Sequence, residues 1–272
     1  MMARKSLQRL TLPAVVALIY VFMLGPILIT ASVSFNRSDR SYFPPHGFSL
    51  HWWAGAFAPQ WMGALLFTLE LASMSAIVTT IAGLPLALAF KHYEFPGKSV
   101  IRFMTLGPLV LPSLVTGIAL LQFLSLAGLG SWIGLPALVI GHIIICLPFS
   151  VRTIAISLES IPANAELAAA SLGAHPLAVL RNVTLPLALP GAGAGMIFAF
   201  ISSFDDVNLS LFVASPTERP LTVQIMQFLD YGFSPTLAAL SILSMLIPLA
   251  LVALFGRYVG IGNFIYQEAG HA

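Results

Sequence analysis

Three carboxylates interrupt long apolar runs in this chain: Glu70 in FTLELASMSA, and Asp205 with Asp206 in SSFDDVN. If those runs cross a membrane, each acid must face a bundle interior, a partner charge or a water-filled path, because lipid does not tolerate a bare charge. Two adjacent acids at the mouth of a path would concentrate a cationic solute there. Successive helical residues point about 100° apart, so Asp205 and Asp206 cannot share one direction. One is expected to face the path and the other to cap or brace a neighbour. Glu70 either lines the same path or pairs with a polar group on a neighbouring helix. Together they form the candidate substrate path.

Covalent chemistry finds no support. FPGKS (Phe95–Ser99) resembles the tail of a phosphate-binding loop, but His92 occupies the place of the required first glycine. Ser150 and His142 are eight residues apart with Pro148 between them, which gives no dyad. No His, Glu and Asp cluster has metal-ligand spacing, and His142 reads as a hydrogen-bonded core residue. The single cysteine, Cys146, excludes an intrachain disulfide and a cysteine metal cluster. No catalytic residue, metal ligand or cofactor site is therefore assigned to this chain.

The elements that carry the acids are set by composition. Of the 272 residues, 58% are hydrophobic and only 8% charged, against about 25% charged in soluble domains. So few charges cannot cover a water-facing surface, and no basic cluster suggests nucleic acid. A crossing needs about 20 apolar residues, and six segments qualify: roughly 10–33, 62–90, 100–124, 135–151, 187–212 and 236–255. The first is too long for a cleaved signal peptide. Each must be helical, because lipid offers no partner to free backbone groups. With the N-terminus inside, nine basic residues fall on the cytoplasmic side: Arg4, Lys5, Arg9, Lys91, Lys98, Arg102, Arg152, Arg181 and Arg257. Three, Arg37, Arg40 and Arg219, fall outside, which satisfies the positive-inside rule. The expected organisation is a cytoplasmic N-terminus at 1–9, a six-helix transmembrane domain at 10–256, and a cytoplasmic tail at 257–272.

This topology places residues 152–186 in the cytoplasm. There the pattern turns Ala-rich after Pro162, predicting a helix that starts near 163–165 and ends at Gly173, with φ > 0 at that glycine. Ala165, Ala168, Ala169 and Leu172 share one face of small side chains, which lets another protein approach closely. A second short helix is expected at about 176–182, with Pro176 at a favourable first-turn position, and Pro186 and Pro190 mark re-entry into the membrane. A helix resting on lipid headgroups would carry several Lys and Arg with large apolar residues opposite. This segment has only Arg181, so protein docking is favoured. Further along, Gly191 and Gly195 have the spacing that allows close helix packing, and Pro108 and Pro112 break the third apolar run.

The segment resembles the EAA loop of ABC-transporter permeases. Ala168, Ala169, Gly173, Val183, Leu185 and Pro186 match that signature in register, whereas Leu167 holds the glutamate position and Glu166 lies one residue earlier. GFSLHWW (47–53), GPLVLPSLVTGIALL (107–121), LPFSVRT (147–153) and SSFDDVNLSLFVASP (202–216) resemble the spermidine/putrescine branch and its relatives for other small solutes. The resemblance implies an all-α type I importer permease, with Glu166, Leu167, Ala168, Ala169, Leu172, Gly173, Ala174 and Arg181 as the ATPase-coupling residues. It also implies partners: a homologous second permease, two ATP-binding subunits that carry the ATP and magnesium, a periplasmic solute-binding protein, and the bilayer of a bacterial inner membrane. The expected function is half of the path for a small, cationic, polyamine-like solute. The competing expectation is a stand-alone carrier or channel, which would need its own ion-coupling residues.

Overall fold

The computed structural model describes residues 2–39 and 41–259, with side chains described from Leu12 onward except at 163, 255 and 257–259. Arg40, most of the expected tail, and the side chains of Arg4, Lys5, Arg9 and Arg257 lie outside this description. The described residues are helical throughout, apart from loops and one isolated bridge between Asn36 and Phe48. Five helices are long and apolar enough to cross a membrane among these residues.

The chain forms two compact units, one holding residues up to Met62 with Gln227–Ala250, the other Gly63–Met226 with the chain from Leu251 on. In the first unit, α1 (Met2–Ser34) precedes a short α2 (His51–Ala56). Trp53 stacks on Phe35 at 5.4 Å, and Trp61 packs against Phe228 at 4.8 Å. Trp61 is thus a packed core residue.

The second unit carries the functional elements. α3 (Pro59–His92) turns its small residues Thr68, Ala72, Ser75, Ala76 and Thr79 inward and leaves Leu66, Glu70, Ser73 and Ile77 exposed on the opposite face. The expected third span is not one helix. α4 (Lys98–Leu106), extended by a short turn at Gly107–Leu109, meets α5 (Ser113–Leu126) at 109° across residues 110–112. Pro108 and Pro112 explain the break, since each removes an N–H donor and restricts the residue before it.

α6 (Leu135–Glu159) runs two turns past the expected end at 151, because Val151, Ile154 and Leu158 continue its buried face. After α7 (Ala163–Ser171) comes α8 (Pro176–Val179), then a π turn at Leu180–Thr184, then α9 (Leu185–Asp205). The separate second coupling helix expected at 176–182 is therefore corrected: the chain is helical without interruption over Pro176–Asp205. The widened π turn lets Pro186 sit in the first turn of α9, where its missing N–H costs little. The fifth span also stops at Asp205 rather than near 212; a short α10 (Ser210–Val213), α11 (Leu221–Leu229) and α12 (Pro235–Val259) follow.

α6 and α9 pack closely where glycines of α9 face small side chains of α6. A Cβ on Gly195 would lie 2.6 Å from Thr153 Oγ1 and 2.9 Å from Ser150 Cα, so only glycine fits. Gly191 is closed off in the same way by Ser157 and the Thr153 carbonyl. Ser157 donates to the Leu187 carbonyl at 3.0 Å, adding a polar tie to the same seam. The seam is thus closed at both glycines.

Candidate functional site

The first candidate region lies at the start of the Pro176–Asp205 helix, around α7. Ala165 packs onto a cluster of Ala87, Phe90, Val151, Ile154, Leu158 and Ala188, which fixes one face of α7 against the ends of α3, α6 and α9. The opposite face is bare. Leu167 is 64% exposed and Leu172 90% exposed, with Ala168 and Ala170 exposed between them. Three leucine-sized or larger apolar groups in one water-side loop, counting the exposed Leu177, make a patch that calls for a cover. The face foreseen as Ala165, Ala168, Ala169 and Leu172 is thus rotated: Ala165 turns inward and Leu167 joins Leu172 outside.

Gly173 ends α7 with φ +84°. Its N–H donates to the Ala170 carbonyl at 3.0 Å, and the Ala174 N–H donates to the Ala169 carbonyl at 3.1 Å. This paired bonding around a left-handed residue is the Schellman motif, and it explains why a glycine is required here. His175 then caps α8, its Nδ1 accepting the Leu177 N–H at 3.3 Å. Arg181 is exposed on the π turn.

Glu166 has a different surrounding from its neighbours. Its Oε1 accepts from Thr184 Oγ1 at 2.9 Å and from Lys91 Nζ at 3.4 Å, and its Oε2 lies 3.2 Å from His92 Nε2. His92 Nδ1 faces the Leu88 carbonyl at 3.2 Å. Burial works against ionisation of Glu166, but the Thr184 hydroxyl, the His92 ring and the Lys91 charge outweigh it. The carboxyl is held below its ordinary value of 4.5. These bonds tie the carboxylate to the last turn of α3 and to the π turn. Lys91, His92 and Thr184 were not legible as partners from sequence, since nothing in their spacing joins them to Glu166.

The second region lies at the other end of α9. Asp206 accepts the Leu209 N–H at 2.9 Å and the Ser210 N–H at 3.2 Å, capping α10. Asp205, by contrast, is exposed. Asp206 thus takes the capping role expected of one acid of the pair. Thr222 Oγ1 donates to the Asp206 carbonyl at 3.2 Å, and the Leu221 N–H donates to Thr68 Oγ1 at 2.7 Å, which carries the tie onto α3. His142 is wholly buried between Ser203 Oγ at 2.6 Å and Ser210 Oγ at 2.9 Å, joining α6, α9 and α10.

Glu70 is exposed, about 17 Å along α3 from its first residue at ~1.5 Å per residue. The pairing on a neighbouring helix that was weighed for it is absent among the described residues. Lys98 is likewise no phosphate ligand; it bonds Glu94 at 2.6 Å and the Tyr93 carbonyl at 2.9 Å.

The chain matches a known family over residues 79–261, described as the binding-protein-dependent transport system inner membrane component. The chain belongs to that family. It is a permease subunit of an ATP-driven, binding-protein-dependent importer, an all-helical multi-pass membrane protein with a transport role. The stand-alone carrier expectation is set aside.

Among its relatives, the permease is 32% identical to the spermidine/putrescine transport system permease protein PotC of Haemophilus influenzae, over 87% of this chain and 91% of that one. It is 30% identical to the molybdenum transport system permease protein ModB of Mycobacterium bovis, over 93% and 94% of the two chains. In fold, the permease superposes on a chain of a bacterial alginate ABC transporter, solved with an alginate pentasaccharide-bound periplasmic protein. The TM-score is 0.72 at 16% identity, with 94% of each chain covered.

Proposed function

We propose that this permease forms half of the inner-membrane path for a small cationic, polyamine-like solute, and that its α7–α8 segment docks onto an ATP-binding subunit. The observation that carries the docking is the uncovered face of Leu167, Ala168, Leu172 and Leu177, flanked by Arg181 and shaped by the Gly173 turn. Ala169, Ala174 and Glu166 lie behind that face as its support. Leucines fully exposed to cytoplasm would be unfavourable in a lone subunit, and burial against a partner removes about 25 cal/mol per Å² of that exposure.

The orientation follows from charge. Six crossings, counting the bent α4–α5 pair as one, with both termini inside, put the basic residues and the docking face together in the cytoplasm. On this reading the transmembrane domain spans 10–256 between a short cytoplasmic start and a cytoplasmic tail. The partners are a homologous permease, two ATP-binding subunits carrying ATP and magnesium, and a periplasmic binding protein.

The solute class rests on Asp205 and Glu70, two exposed carboxylates in a chain otherwise poor in charge, with Asp206 holding the turn beside Asp205. Exposed intramembrane carboxylates fit a water-filled path that favours cations. PotC carries spermidine and putrescine in its name, which agrees; ModB carries molybdenum in its name at nearly the same identity, so identity alone does not choose. Copurification from membranes tests the docking: an ATP-binding subunit should accompany the permease and be lost on Gly173→Val. Isothermal titration of the cognate binding protein with spermidine and with molybdate tests the solute. Molybdate binding without spermidine binding would sink the cationic reading.

A further inference from the structure

One carboxylate joins three elements that must move together if ATP hydrolysis is to open a path. α7 carries the docking face, α3 is the second span, and the π turn begins the fifth. Glu166 on α7 bonds Lys91 and His92 at the last turn of α3 and Thr184 at the end of the π turn. Nothing else polar crosses this junction among the described residues. A cavity of about 670 Å³ opens beside it, lined by Leu88, Tyr93, Ala170, His175 and Leu180 as well as by Glu166 and Thr184. Apolar contact on that side of α7 is therefore interrupted, and the load falls on the carboxylate and on Ala165.

The local backbone suits that load. A π turn widens the helix by one residue and marks a place where helical geometry can change at low cost. Thr184 is 2% exposed. Its hydroxyl would ordinarily fold back onto a carbonyl of its own helix, as Thr68, Thr80 and Thr105 do here. Instead it reaches across to Glu166. Hydrogen bonds to a charged group are among the stronger ones in proteins.

We propose that Glu166 is a positioning residue that transmits movement of the docked coupling helix to the inner ends of the second and fifth spans, without itself touching the ATP-binding subunit. This rests on the docking reading given above. It places the missing signature glutamate in a new light: Leu167 takes the outward, contact-making position, and the charge one residue earlier serves the permease's own interior. Thr184 is decisive for the test, because a residue so buried cannot contact a partner. Any coupling effect of removing its hydroxyl must pass through Glu166.

The test uses the assembled transporter, with its second permease, ATP-binding subunits and binding protein, in proteoliposomes. Spermidine uptake and ATP hydrolysis are measured together. A readout independent of solute is the ATP-dependent change in maleimide labelling of Leu187→Cys, an exposed position at the start of α9. Thr184→Val should leave the ATP-binding subunits bound and hydrolysing. It should lower spermidine moved per ATP roughly tenfold, the size expected for losing one hydrogen bond to a charged group. It should also flatten the labelling change. Thr184→Ser, which keeps the hydroxyl, should restore both, so a folding defect in the valine variant would be recognised. Glu166→Gln keeps an acceptor for Thr184 and drops the ion pairs, and should fall between the two.

A wild-type transport ratio and labelling change in Thr184→Val would overturn the proposal. So would release of the ATP-binding subunits by Glu166→Gln, since that makes Glu166 part of the dock. Failure of the unmodified permease to bring down an ATP-binding subunit would instead refute the docking reading, and is seen before any variant is made.

Discussion

The two ends of the Pro176–Asp205 helix solve opposite problems. At the Asp205 end the polar groups are turned into the protein and tied to one another: His142 between Ser203 and Ser210, and Asp206 on the backbone of α10. At the Pro176 end the apolar groups are turned out, and the one inward charge, Glu166, is tied by three side chains of its own unit. The first end is built to hold a shape and leave Asp205 available. The second leaves its apolar side uncovered. Between them, the close seam at Gly191 and Gly195 packs the helix against α6.

The comparison can be broken from either end. The largest effect is expected at His142. His142→Leu leaves two buried hydroxyls without partners, at roughly 1–3 kcal/mol each, so thermal unfolding in detergent should show a clear loss. His142→Gln, which keeps an amide toward one serine, should recover part of it; an unchanged melting temperature in the leucine variant would mean the network holds nothing. Gly195→Leu comes next, at about 1–3 kcal/mol for overpacking, read by the same unfolding experiment. A tolerated leucine would show that α6 and α9 can separate.

At the other end the prediction inverts. Leu172→Asp should leave stability within about 0.5 kcal/mol, as an exposed substitution does, yet weaken capture of the ATP-binding subunit about tenfold or more, as loss of one anchor at an interface would. Pull-down at graded salt measures it, and unchanged capture would remove Leu172 from the dock. Asp205→Asn should raise the transport KM for spermidine about threefold to tenfold while leaving unfolding unchanged.

The smallest effect concerns pH. The Glu166 carboxyl is held below 4.5 in the folded chain, so the unfolded chain takes up the proton first as pH falls. The stability it contributes is complete above 4.5 and is lost on acidification through the lowered value. Unfolding measured from neutral pH down to acid should show this slope in the permease and not in Glu166→Gln.

Several of these features were legible in the residues themselves. Gly173 was marked as a left-handed helix end by its place after an Ala-rich run, and its φ of +84° follows from that chemistry. Asp206 lies just past the end of α9 in extended backbone, so the 100° step of a helix is not what separates the two acids. The break at Pro108 and Pro112 was legible too, but not its 109° angle, which depends on how α4 and α5 pack. The continuity of α8 into α9 was missed because two prolines normally signal a stop, and a π turn that absorbs one of them has no sequence mark of its own. The rotation of α7 was missed because alanines on both faces give periodicity little contrast.

Composition and order determined on their own that this chain is a multi-pass membrane protein and where an Ala-rich loop interrupts its apolar runs. Apolar length and charge placement act one residue at a time, so they survive without a fold. What only the tertiary structure decided is which side of each helix is used. Leu167 and Leu172 face out while Glu166 faces in, because Lys91, His92 and Thr184 converge on it from positions 75, 74 and 18 residues away. Such convergence is a property of packing, and no local pattern encodes it.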